Sequence, residues 1–168
     1  FTGVRIGVSA VKGICDPLNK KCVGVSTLEA IAKPLENTGV IAVAVMDARC
    51  NQVYTATFDC LRGEMKRLTE DEAITIDELT ERLKTQDKQI VLIGDGANVC
   101  YNKMKDVLES ISIASPTIRY QSASSVALIA EELILKDENN AVSSDALVPK
   151  YLRLSQAERE LKKKQENN

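Results

Sequence analysis

Histidine is absent from this chain of 168 residues. That absence removes a Ser-His-Asp triad, an H-E-x-x-H zinc site and any histidine-ligated iron from what the chain builds by itself. Tryptophan is absent too, and aromatic residues are 4% of the total, too few for a surface on which nucleic-acid bases stack. Neither sign of charge dominates. The 22 Lys and Arg against 24 Asp and Glu leave a net charge of -2, which gives no electrostatic case for wrapping a polyanion. No run of 18 apolar residues and no signal-peptide pattern occurs, so a cytoplasmic protein without a membrane segment is expected. The cysteines, Cys15, Cys22, Cys50, Cys60 and Cys100, are odd in number and form no C-x-x-C pair. That is the usage of a reducing compartment, and it lacks the short paired spacings of a structural metal site. The sequence therefore assigns no catalytic, cofactor-binding or metal residue.

The hydrophobic content of 44% and charge of 27% are those of a folded chain, long enough for one domain or for one domain and part of another. The stretch Phe1-Thr2-Gly3-Val4-Arg5-Ile6-Gly7, continued to Gly13, organises the reading. As a helix it places Val4, Val8, Val11, Cys15 and Leu18 on one apolar stripe. Gly3, Gly7 and Ala10 fall on a neighbouring stripe almost bare of side chains. A glycine inside a helix costs about 1 kcal/mol against alanine, so two of them four residues apart point to close approach of another element. Packing within the chain and docking of another subunit both remain open. The chain starts directly on this helix, and part of its partner layer is expected to be missing.

Asp16-Pro17 and Asn19-Lys20-Lys21 break the helix. A short strand at Cys22 to Val25 leads to Ser26 and Glu29, a capping box that opens a helix from Thr27 to Glu36; Pro34 ends or kinks it, and Gly39 suits a left-handed exit. Val40 to Met46 is an apolar run of the kind buried on both faces of a sheet, followed by a polar turn and a second strand, Gln52 to Phe58, in a hairpin. A third strand is expected near Met65 to Leu68. Thr75 and Glu78 open a helix with Ile76, Leu79 and Leu83 facing inward. Further elements are a strand at Gln89 to Ile93, a helix from Asn98 to Ser110, a strand at Ile118 to Tyr120, and a helix from Ser122 to Leu135 with Val126, Ile129, Ala130 and Leu133 inward. A polar linker, an extended segment around Pro149, and a helical tail from Ser155 with Lys162-Lys163-Lys164 complete the chain. Alternating strands and helices around a hairpin predict an α/β fold with a mixed sheet. Gly94-Asp95-Gly96-Ala97 after a strand reads first as a structural turn and second as a ligand loop, since neither G-x-x-x-x-G-K-[ST] nor G-x-G-x-x-G is present.

Several stretches, in order, resemble one family. Phe1 to Gly7 is similar to the F-T-G-L-R-I-G of the bacterial TsaB (YeaZ) proteins, and Gly24-Val25-Ser26-Thr27-Leu28-Glu29-Ala30 to their G-V-S-S-L-E-A. Asp47-Ala48-Arg49 with Tyr54 resembles their D-A-R and V-Y hairpin. Gly94 to Ala97 and Pro149-Lys150-Tyr151-Leu152-Arg153 match their G-D-G-A and P-x-Y-L-R. The resemblance implies an actin-like ATPase (ASKHA) type fold of two lobes with mixed sheets. The family's first strands and its D-T-S start have no counterpart, so the first lobe is expected to be incomplete. Residues 1–37 are then the remnant of that lobe, 38–140 the second lobe, and 141–168 a return segment and C-terminal helix. It implies a non-catalytic scaffold in making threonylcarbamoyladenosine next to the tRNA anticodon. That scaffold pairs with the enzyme TsaD, joins TsaE in the complex, meets tRNA only through the complex, and can form a homodimer. Gly3, Val4, Arg5, Gly7, Val8 and Val11 are the interface residues by that match. A nucleotide-binding actin-like lobe and a glycoprotease-type metallopeptidase are the alternatives; the missing histidines weigh against the second, and the missing first strands against the first.

Overall fold

The computed structural model describes residues 2–153 of the chain. In chain order they form α1 (Thr2–Cys15), β1 (Cys22–Val23), α2 (Thr27–Ala32), β2 (Ile41–Arg49), β3 (Gln52–Leu61), β4 (Glu64–Arg67), β5 (Glu72–Thr75), α3 (Ile76–Leu83), β6 (Ile90–Ile93), α4 (Ala97–Met104), β7 (Ile111–Ile113), α5 (Ala123–Lys136) and β8 (Ala141–Val142). Among the described residues two compact units result, residues 25–131 and a unit joining 2–24 to 132–153. α2, which lies within the segment 1–37 in the sequence reading, thus belongs with the central unit.

The central unit is built on a mixed sheet of order β4-β3-β2-β6-β7, with β5 paired to β3. β3 is long enough to serve two partners: Gln52 to Thr55 face β5 and Phe58 to Leu61 face β4. β2 runs antiparallel to β3 and parallel to β6, and β6 is parallel to β7. The apolar run of β2 is buried on both faces because alternate side chains leave opposite sides of a strand. Ile41, Val43 and Val45 pack with Val53, Leu92 and the inner face of α3 (Ile76, Leu79, Leu83). Ala42 and Ala44 join Ala56, Phe58, Leu28 and Ile31 on the other face, where the short alanine side chains let α2 lie close to the sheet. Both capping serine and threonine signals are used: Glu29 donates its amide to Ser26 Oγ at 3.2 Å and Glu78 to Thr75 Oγ1 at 3.1 Å. Pro34 falls in a 3-10 turn, Lys33–Leu35, that ends α2. Gly39 takes the left-handed conformation, φ 76°.

Four expectations are corrected. The helix after Gly96 stops at Met104 instead of continuing to Ser110, because residues 111–113 are captured as β7: Ile90 donates to Ser110 O at 2.8 Å and Ala114 to Leu92 O at 2.9 Å. No strand forms at Ile118 to Tyr120. In α5 Ile129 is buried and Ala130 and Leu133 are half-buried as expected, but Val126 is 41% exposed and Ser125 takes its place on the buried face. The linker after Lys136 contains β8, which pairs antiparallel with β1 through Cys22↔Val142 and Val23↔Ala141. β5 is a further strand that the sequence pattern does not announce. The helical tail expected from Ser155 lies outside the described residues.

Two core thiols set an alkaline limit. Burial pushes Cys60 up to about 11 and Cys100 up to about 12, from an ordinary value of 9.0. Above pH 9 the unfolded chain releases these protons and the folded chain keeps them. Stability is therefore intact below pH 9 and falls as pH rises toward 11, by at most about 1.4 kcal/mol per pH unit for each thiol. Urea midpoints measured across this range should show that decline, and a Cys60→Ala/Cys100→Ala variant should have a flatter alkaline limb.

Candidate interaction surface

α1 has no buried residue. Val8, Lys12 and Cys15 are half-buried, and Val4, Ile6, Val11 and Ile14 are 43 to 65% exposed. The sequence reading placed Val4, Val8, Val11, Cys15 and Leu18 on one inner stripe; within the described residues only Val8 and Cys15 of that set turn inward, and Leu18 is 62% exposed. The bare stripe is open as well. A methyl group built on Gly3 or Gly7 meets nothing within 4 Å among the described residues, so packing inside the described chain does not explain the glycines. The surface thus contains Gly3, Val4, Gly7 and Val11, with Val8 at its inner border.

Arg5 is held by the return segment. Its Nε donates to the Tyr151 hydroxyl at 2.8 Å and its guanidinium lies 5.6 Å from that ring's centre; the hydrogen bond raises the Arg5 pKa further above its ordinary value. Lys12 Nζ reaches Asp145 O at 3.1 Å, and Ser144 donates to Asp16 at 3.0 Å. These contacts fix α1 against residues 144–151, a pairing that sequence spacing alone does not reveal.

The recognised motifs meet in pairs. Arg5 of the opening motif touches Tyr151 of P-K-Y-L-R. Asp47 of the hairpin donates its amide to Asp95 Oδ1 of G-D-G-A at 3.1 Å. The G-D-G-A loop is pressed against β2: a Cβ on Gly94 would stand 2.1 Å from Val45 O, and one on Gly96 3.1 Å from Asp47 N. The Gly96 amide donates to Val45 O at 3.1 Å, so it is not free to cradle a phosphate, and the structural reading of the two glycines is the one the packing supports. Among the described residues no three His, Cys, Asp or Glu side chains converge as metal ligands. No helix of the described residues is long and apolar enough to cross a membrane.

Comparison with known proteins fits these features. The family model "TsaD: tRNA N6-adenosine threonylcarbamoyltransferase" matches residues 1–161. The tRNA threonylcarbamoyladenosine biosynthesis protein TsaB of Bacillus subtilis is 28% identical over 94% of this chain and 67% of its own length. TsaB of Escherichia coli is 31% identical over 57% of this chain, spanning 43% of that protein. Two Pseudomonas aeruginosa structures share the fold at 22% identity. One, described as an uncharacterized protein with similarity to peptidase YEAZ, has a TM-score of 0.73 over 91% of this chain and 68% of its own. The other, YeaZ, has a TM-score of 0.70 over 90% and 68%. The fold is accordingly of the actin-like (ASKHA) type. The chain belongs to the TsaD-type threonylcarbamoyltransferase family as a TsaB (YeaZ) member.

Proposed function

We propose that this protein is a non-catalytic scaffold in the cytoplasmic synthesis of threonylcarbamoyladenosine on tRNA, and that α1 is the face it presents to TsaD. TsaE joins that complex, and tRNA meets the protein only through it. The observation that carries the reading is the unburied apolar α1 with two open glycines on one side. Burying a valine or isoleucine side chain is worth about 1.5–3 kcal/mol, and a helix approaching over Gly3 and Gly7 reaches the backbone itself. The missing histidines support the absence of catalysis, because the chain supplies no imidazole as metal ligand, general acid or base. The printed likeness of one structure to a peptidase is the ground for a metallopeptidase reading, and that reading lacks converging ligands among the described residues.

The test is complex formation between the protein and TsaD, for the wild type and Gly7→Leu. Leucine is the better helix former by about 0.8–1 kcal/mol, and Gly7 has open space around it, so the thermal melt of the variant should be unchanged or raised. Affinity for TsaD should drop at least tenfold, about 1.4 kcal/mol. Wild-type affinity in a well-folded Gly7→Leu variant sinks the assignment of this face. The same assay without TsaD, by sedimentation, reports whether α1 also supports a homodimer.

A further inference from the structure

The last residue of α1 and the first residue of β1 are both cysteines, Cys15 and Cys22. Between them the chain doubles back in a short turn. Asp16 donates its amide to Lys12 O at 2.8 Å, Asn19 to Asp16 O at 3.0 Å, and Lys20 to Cys15 O at 2.9 Å. Asn19 takes the left-handed conformation, φ 49°, which asparagine tolerates better than most residues. The reversal returns Cys22 to the end of α1, where the two thiols are hydrogen-bonded to each other. Cys50, Cys60 and Cys100 belong to the other compact unit.

The two thiols are not equivalent. Cys15 is half-buried and open to small solutes, whereas Cys22 is 5% exposed. Burial first, and then the hydrogen bond to Cys15, push the Cys22 thiol above its ordinary value of 9.0, against an opposing pull from the Lys12 charge. Cys22 therefore keeps its proton and offers it to the Cys15 sulfur. An accessible thiol with a second thiol beside it is the arrangement in which a sulfenic acid is trapped as a disulfide instead of being oxidised further. A metal is not the better account of the pair, because no third ligand converges on it among the described residues.

We propose that Cys15 and Cys22 form a reversible disulfide site, oxidised by hydroperoxides, that staples the end of α1 to the ribbon of β1 and β8. The Cys15 thiolate attacks a peroxide oxygen, the O–O bond breaks, and the departing hydroxide takes up a proton as water. Cys22 then attacks the sulfur of the Cys15 sulfenic acid. The S–S bond forms, the S–O bond breaks, and the hydroxyl leaves as water with the Cys22 proton. Two thiols and hydrogen peroxide thus give a disulfide and two waters. In a reducing compartment such a bond is transient and reports oxidation. Its structural effect falls on an element with no buried residue, and elements of that kind open most readily. The chemistry does not rest on the docking reading, whose glycines lie in the first half of α1.

The probe is hydrogen peroxide, added to the full chain and followed by alkylation of the remaining thiols. Trypsin cuts after Lys20 and Lys21, so a Cys15–Cys22 bridge joins two peptides that are otherwise separate. That linked pair is expected as the first oxidation product, and dithiothreitol should release it. Hydrogen exchange at the amides of Gly13, Ile14 and Cys15 should slow roughly tenfold or more in the oxidised protein. Neither change should occur in Cys15→Ser, where a half-buried thiol gives way to a hydroxyl of similar size, or in Cys22→Ala. A Cys15 that advances to sulfinic acid with Cys22 still alkylated overturns the proposal. So does a bridge that leaves exchange at the end of α1 unchanged, since the staple would then hold nothing.

Discussion

Gly94→Ala is expected to abolish cooperative folding. Gly94 has φ 116°, a backbone region that side chains rarely enter. The added methyl would stand 2.1 Å from Val45 O and 3.0 Å from Val45 C, far inside any non-bonded contact. Neither side can yield. Val45 is fully buried in β2, a strand paired on both edges by β3 and β6, and its carbonyl also accepts from the Gly96 amide. The loss should exceed about 4 kcal/mol, a large part of a domain's total stability. Two controls separate contact from conformation. Gly63 is also left-handed, φ 82°, but a methyl there meets nothing within 4 Å; Gly63→Ala should cost only about 1–2 kcal/mol. Gly96 has an ordinary φ of -76° with a 3.1 Å neighbour, and its alanine variant should fall between the two. Urea denaturation followed by circular dichroism ranks them. A Gly94→Ala protein that melts like wild type would remove the close-approach account of the G-D-G-A loop.

That loop shows what the sequence does and does not disclose. Strand then glycine then helix is legible in residues 89–104, and so is the two-faced burial of the Val40 to Met46 run, because both are local patterns. The reason for the glycines is not legible, since it lies in β2, some fifty positions earlier. The same holds for residues 111–113. Ile111-Ser112-Ile113 alternates over only three residues, too short a run to mark a strand, and only the free edge of β6 makes it one. The misplacement of Val126 has a different cause. Four apolar positions at helical spacing fit several faces of α5, and the face that is buried includes a serine, which hydrophobic patterning cannot select. At the candidate surface the glycine stripe and its accompanying valines are visible in sequence as spacing. Their exposure is a tertiary fact, and so is the clasp of Arg5 by Tyr151, whose partners are 146 positions apart.

Arg67 is another residue whose weight emerges only in three dimensions, and its replacement should give the second-largest loss. Its Nη2 lies 2.6 Å from Glu29 Oε2 and its Nη1 2.6 Å from Asp71 Oδ1. The guanidinium also covers the Phe58 ring at 4.7 Å. Asp71 in turn accepts from Ser26, the residue that caps α2, at 2.7 Å. Arg67 therefore joins β4 to the capped start of α2. Burial opposes its charge, but the hydrogen bonds to Glu29 and Asp71 outweigh it and raise its pKa. Breaking a fully buried pair costs about 3–5 kcal/mol because the partner charge is stranded. Here the side chains of Arg67, Glu29 and Asp71 keep 25, 29 and 14% exposure, so water screens part of the effect and Arg67→Ala should cost about 2–3 kcal/mol. Arg67→Lys should recover only part of that, since a single ammonium does not reproduce the fork that bridges two carboxylates and stacks on a ring. Neutralising the carboxylates as well, in Arg67→Met/Glu29→Gln/Asp71→Asn, should regain much of the loss, because no charge is then left unpaired. Denaturant midpoints for the three variants decide it. An Arg67→Ala change under about 0.5 kcal/mol, the scale of an ordinary surface substitution, would mean that α2 is seated by its apolar face alone.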